Sequence, residues 1–235
     1  MSGVVAVLEK ELLTYFRSPI AYFVLAVFFV GTGYFFTYNI FLTGDATMNE
    51  TFLNMGILLI IVLPMVTMRL FAAEYSARTM ELLSALPLKP RDIVLGKYLG
   101  AVAILLALTI GTMINLVPLY LFGQPETTTI LSGYLGFLLL GLACLAVGQL
   151  FSALTQNQIV AALATICVLL GFWFVGYLQG FQHSYELRSL FRHLSFSLHY
   201  ANFVQGLVRT ESIAFYVAVC AIALTLNTSY LDWRR

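Results

Sequence analysis

The chain has little charge. Lys, Arg, Asp and Glu make up 10% of its 235 residues and apolar side chains 60%, whereas soluble domains run near one quarter and one half. A water-soluble fold is excluded, and the residues outside the apolar runs are too few for a separate domain of ordinary size. Cysteine is scarce too. Cys144, Cys167 and Cys220 each sit inside an apolar run, so buried packing is expected for all three, and no disulfide framework or CxxC metal site is implied.

Several chemical signatures are missing. Gly-Lys occurs only at Gly96-Lys97, and position 91 is Arg where a P-loop needs Gly, so no ATP site of that kind is expected. HExxH is absent, and His183, His193 and His199 lack the spacing of a zinc site. No nucleophile-and-base arrangement points to an intramembrane hydrolase. No basic block suggests nucleic acid, and neither an ordinary repeat nor a low-complexity tract is present.

Ionisable residues are nearly absent from the apolar runs. Carriers driven by protons or sodium keep such groups within the membrane, so their lack argues for power from outside the chain. Arg69 lies at the end of a run, where it is expected to reach the headgroups. Asn39, Asn54, Asn115, Gln149 and Asn227 are the main polar residues within the runs, and helix-to-helix hydrogen bonds are their expected role.

What is present is six apolar spans, at about 20–42, 53–70, 98–122, 131–154, 158–181 and 213–230. The expected fold is an all-α polytopic membrane protein, one transmembrane domain over 1–235. Residues 1–18 precede the first span. There Val5, Leu8, Leu12 and Phe16 share one face, as in an interfacial helix lying along the membrane. A cleaved signal peptide is not expected, because a charged Glu-Lys-Glu run precedes a stretch long enough to cross the bilayer. Pro64 inside the second span is tolerable where neighbours satisfy the backbone.

Basic residues set the orientation. Most Lys and Arg fall on the side of the termini and of residues 71–97. Only Arg188, Arg192 and Arg209 fall on the other, and the loops at 45–50 and 124–129 have none. Both termini are therefore expected in the cytoplasm.

Residues 74–97, EYSARTMELLSALPLKPRDIVLGK, form the most highly charged break between spans. Glu74 and Arg78 are four apart, and Arg78 and Glu81 three apart, so on one helix they share a face. Ala77, Met80 and Leu83 make a second face. Pro87 ends that helix, Pro90 delays the next, and Asp92 is the expected cap where it resumes. The pattern is that of an element pushed from outside the bilayer. Gly96, Gly100, Ala103, Ala107 and Gly111 form a small-residue stripe on the third span, and Gly141, Cys144, Gly148 and Ser152 another on the fourth. Packing within one subunit is the favoured reading over a subunit interface. In 182–212, Leu187, Leu190, Phe191, Leu194 and Leu198 repeat at helical spacing, as do Phe203, Val204 and Leu207. One or two amphipathic outer helices are expected, serving either as a lid over an exit path or as a support for the last span.

Taken together these residues resemble the permease subunit of type-2 ABC transporters. LEKELLTYFRSP at 8–19 is similar to that family's leading interfacial helix. EYSARTMELLSALPLKPRDIVLGK is similar to its cytosolic signature, and HLSFSLHYANFVQGLV at 193–208 looks like the outer segment of the gliding-motility branch. The family commonly has Gly before the Thr of the signature, where this chain has Arg78. The resemblance implies an exporter in the prokaryotic cytoplasmic membrane, with Glu74, Arg78, Thr79, Met80, Glu81, Leu82 and Leu83 as a coupling helix on a separate ATPase. It further implies two ATPase subunits carrying ATP and Mg, a second permease chain (the same or a paralogue), surrounding lipid and accessory envelope proteins. No cofactor belongs to this chain, and no activity as an enzyme. The rival reading is a non-transporting membrane scaffold for motility or envelope proteins.

Overall fold

The computed structural model describes residues 3–43, 47–80, 88–122, 125–178 and 185–233. The described residues are helical, without strands. In order they form α1 (Gly3–Phe16), α2 (Pro19–Thr43), α3 (Asn49–Thr67), α4 (Ala72–Ser76) and α5 (Pro90–Thr112). A 3-10 turn at Met113–Asn115 leads into α6 (Leu116–Phe122). Then come α7 (Thr127–Leu154), α8 (Gln158–Leu178), α9 (Tyr185–Leu194), α10 (Phe196–Val204) and α11 (Thr210–Trp233).

Six of these stretches are long and apolar enough to cross a membrane: α2, α3 continued through α4, α5 continued into α6, α7, α8 and α11. The second, third and fourth are mostly buried, and the first, fifth and sixth turn most of their surface outward. The bundle is thus built on α3, α5 and α7, with their contacts made by Phe52, Met55, Leu59, Leu105, Leu108, Phe137 and Leu140.

The third span differs from its expected bounds. It begins at Pro90, because a proline at the first helical position gives up an N–H that has no partner there in any case. Asp92 is therefore in the first turn and is not the cap; Lys89 holds that position. At the far end Pro118 has no N–H for the carbonyl of Ile114, and the helix tightens to 3-10 geometry over the residues around Ile114.

The outer segment is two helices. Ser195 divides them by accepting the Leu198 N–H at its side chain, so Leu198 does not share a helix with Phe191 and Leu194. The side chains of Leu187 and Leu190 lie outside the described residues. The second helix, α10, is sunk in the bundle. Phe196, Tyr200 and Phe203 are fully buried, the Tyr200 hydroxyl donates to Phe52 O (2.8 Å), and Ser132 donates to Phe203 O (2.7 Å). Leu207, in contrast, is exposed. Cys144 is buried as expected and Cys220 is half-buried, but Cys167 is exposed on α8.

Candidate functional site

The sequence around 74–97 folds into a junction of α1, α4 and the first turns of α5. Its foundation is the pair of glycines in α5. A Cβ at Gly96 would stand 2.7 Å from Val7 Cβ, and one at Gly100 would stand 2.7 Å from Glu11 Cβ. Only hydrogen at those positions lets α1 lie this close along α5. Ala103 and Ala107 are half-buried further along, and Gly111 faces Phe29 of α2. The stripe thus meets helices of its own subunit.

Close approach brings charge together. Lys97 is 1% exposed, with its Nζ 2.7 Å from Glu11 Oε1 and 2.9 Å from Glu74 Oε1. Lys10 reaches the same Glu74 oxygen at 2.6 Å from the outer side of α1. The Lys97 ammonium also sits 5.2 Å from the centroid of the Phe71 ring, a cation–π distance. Two ammoniums and two carboxylates balance, which is the condition for holding ions out of water. One lysine therefore ties together the leading helix, the short α4 and the base of the third span.

Two serines fix the surroundings. Ser152 of α7 accepts from the N–H groups of Phe71 (3.0 Å) and Ala72 (3.1 Å) and donates to Met68 O (3.0 Å). It satisfies donors at the start of α4 that have no partner within the helix. Ser18, at the corner before α2, accepts from the Arg69 guanidinium and from the Ile20 N–H (3.3 Å). Arg69 thus bonds to a buried hydroxyl of the corner before α2. Beside it the Tyr15 hydroxyl donates to Val66 O (3.2 Å), and burial pushes its pKa well above the usual tyrosine value, so it acts only as a neutral donor. A cavity of about 280 Å³ lies among Lys10, Glu11, Tyr15, Arg69, Glu74 and Thr79.

The expected single helix from Glu74 through Leu86 is corrected. The helix stops at Ser76, and Arg78 adopts a left-handed backbone with φ 55°. The Thr79 N–H bonds back to Glu74 O (3.0 Å) and the Arg78 N–H to Tyr75 O (3.2 Å). Those two bonds are the Schellman C-cap, whose left-handed residue is usually glycine. Arg78 is the position at which the resemblance led us to expect Gly, and among the described residues it is the one non-glycine with a positive φ. Glu74 and Arg78 do not pair, because Glu74 turns inward to the lysines. Arg78 and Thr79 are exposed, and Met80 is half-buried against the core. Glu81, Leu82 and Leu83 lie outside the described residues.

The chemistry held here is mechanical. Among the described residues no cluster of His, Cys, Asp or Glu is placed to hold a metal. Gln149 makes the expected helix-to-helix bond, donating to Val94 O (2.9 Å), and Asn39 donates to Thr51 (3.3 Å). Asn227 is fully buried with neither side-chain atom bonded.

The roles of Glu11, Lys97, Ser18 and Ser152 are not evident from the sequence. The available signal for the first two was the GxxxG at 96–100, which calls for a close partner, together with an acid in the middle of an amphipathic helix.

A search of curated proteins gives no match. Residues 41–209 match the family model described as ABC-2 family transporter protein. That stretch holds Glu74, Arg78, Ser152 and Lys97, while Lys10 and Glu11 precede it. With well over half of its length matched, this chain belongs to the ABC-2 family of membrane-spanning transporter subunits.

Proposed function

We propose that this chain is the permease half of an ATP-driven exporter, paired with a second permease chain and worked by two copies of a separate ATPase. ATP and Mg belong to the ATPase; this chain supplies the path. The termini and the turn at 77–79 lie on the cytoplasmic side of a prokaryotic inner membrane. The observation that carries the reading is the placement of Arg78 and Thr79. They are exposed on a turn whose helix is locked, through Glu74 and Ser152, to α1, α5 and α7. An ATPase that grips 77–83 and closes on ATP moves that turn. The buried Lys97 passes the displacement to the leading helix α1 and the third span together, because an ion pair held out of water resists stretching. The two arrangements of the spans would then be states whose balance nucleotide shifts.

The test is copurification from native membranes. A P-loop ATPase in stoichiometric amount is expected with the wild-type chain, and its loss with Arg78→Glu while the spans stay folded. Recovery of the chain without any such ATPase would sink the proposal and leave a scaffold.

A further inference from the structure

A second cavity, of about 330 Å³, opens at the end of the bundle opposite the termini, between α9, α10 and the start of α11. Its polar side carries Arg192, His193, Arg209 and Glu211. Its other wall is apolar, made by Leu198, Phe215 and Ala218.

The basic side is unusual for its location. Lys and Arg are kept off the other loops at this end, as the positive-inside bias requires. Yet two arginines meet in one cavity. Both are exposed, and among the described residues neither guanidinium is engaged in an ion pair. Glu211 offsets one of them, which leaves two guanidiniums against one carboxylate in the cavity.

His199 is committed to holding the wall. His193 O can only accept, so His199 Nε2–H donates to it (3.1 Å), and Nδ1 is left to accept from the Ser212 hydroxyl (3.0 Å). Asn202 donates to the same hydroxyl oxygen (3.3 Å), and the ring stacks on Phe215 with centroids 4.4 Å apart. This network fixes α10 against α11 and shapes the cavity before any ligand arrives.

The apolar wall runs on into the outward surface of α11, where Ala214, Val217 and Ala218 are exposed on a membrane-spanning helix. A ligand that satisfies both sides has an anionic head and a hydrocarbon chain. We propose that this cavity binds the phosphate headgroup of an anionic phospholipid of the outer leaflet, with Arg192 and Arg209 on the phosphate and an acyl chain along α11. Guanidinium is suited to this role because its fork matches phosphate oxygens two at a time. The inference rests on the six membrane spans and not on the ATPase partner, so either can fail alone.

The experiment uses the full chain purified in detergent, with bound lipid counted by native mass spectrometry. Phosphatidylglycerol is expected to bind about tenfold more tightly than phosphatidylcholine, with Arg192→Gln/Arg209→Gln abolishing that preference. Arg192→Lys/Arg209→Lys keeps the charge but not the fork, and should weaken the preference without abolishing it. Inorganic phosphate at millimolar concentration should not displace the lipid, since it cannot use the apolar wall. Equal binding of the two lipids, an undiminished preference in the Gln variant, or displacement by inorganic phosphate would each overturn the proposal. Both side chains are exposed, so the variants should melt with the wild type; were the Gln variant to melt lower, the Lys variant decides, and loss of its preference would count against the site.

Discussion

Lys97→Met removes the ammonium that three elements share. Glu11 then keeps no cation among the described residues, because its ion pair there is with Lys97 at 2.7 Å, whereas Glu74 retains Lys10 at 2.6 Å. An uncompensated buried carboxylate costs about 3–5 kcal/mol. For a chain of this size that corresponds to a fall in Tm of roughly 6–20 °C, at about 2–4 °C per kcal/mol. The decisive comparison is the double variant Lys97→Met/Glu11→Leu. Replacing both members of a buried pair by apolar groups is often neutral, so the double variant should recover to within about 1 kcal/mol of wild type. The assay is thermal unfolding of the purified chain in detergent, run on wild type, both single variants and the double. A double variant that melts as low as the sum of the singles would show that Glu11 and Lys97 do not act as a pair, and the junction would lose its keystone.

Other outcomes follow from the same geometry. Arg78→Gly should raise stability by about 0.5–1 kcal/mol, since glycine adopts a positive φ without steric cost; a lower melting temperature would mean the left-handed cap is not formed. Ser152→Ala strands the Phe71 and Ala72 amides and should cost about 1–3 kcal/mol, measurable in the same melt, while Ser152→Thr should cost less. Burial holds the pKa of His199 below the usual histidine value, with the positive charge of Arg192 acting in the same direction and the hydrogen bond to His193 O and the Glu211 carboxylate against it. The unfolded chain therefore takes up the proton first. Stability of the outer helices should be full above about pH 6.5 and decline as the pH falls below it, the sign required when the unfolded state binds more protons. Hydrogen exchange of α10 at pH 7.5 and 5.5 reads this directly, and His199→Asn should flatten the dependence.

The spans and their order were legible because twenty apolar residues in a row have one explanation. The small-residue stripe was legible too, since glycines four apart mark close helix contact, and Gly96 and Gly100 meet α1 at that spacing. The charged segment at 74–97 was read less well. Pattern alone treats Glu74, Arg78 and Glu81 as neighbours on a helix, but it cannot register that Glu74 has a better partner 23 residues away in Lys97. That preference arises only once α1 and α5 are packed together. The left-handed turn at Arg78 was hidden for a related reason: arginine is no marker of positive φ, and the glycine that would have marked it is absent here. Ser152 and Ser18 give no local signal either, because the donors they satisfy belong to distant turns. The bond of Arg69 to Ser18 was hidden too, because its partner comes from a corner 51 residues away.

The central claim is that an outside ATPase holds this chain at the turn following α4. A cysteine placed at Thr79, which is exposed, tests it without knowledge of the cargo. In membranes containing the partner ATPase, that cysteine should crosslink to the ATPase with a yield that changes when ATP is bound. It should also be labelled by an impermeant maleimide only after the cells are opened. Labelling on intact cells, with no crosslink in any nucleotide state, would contradict the account.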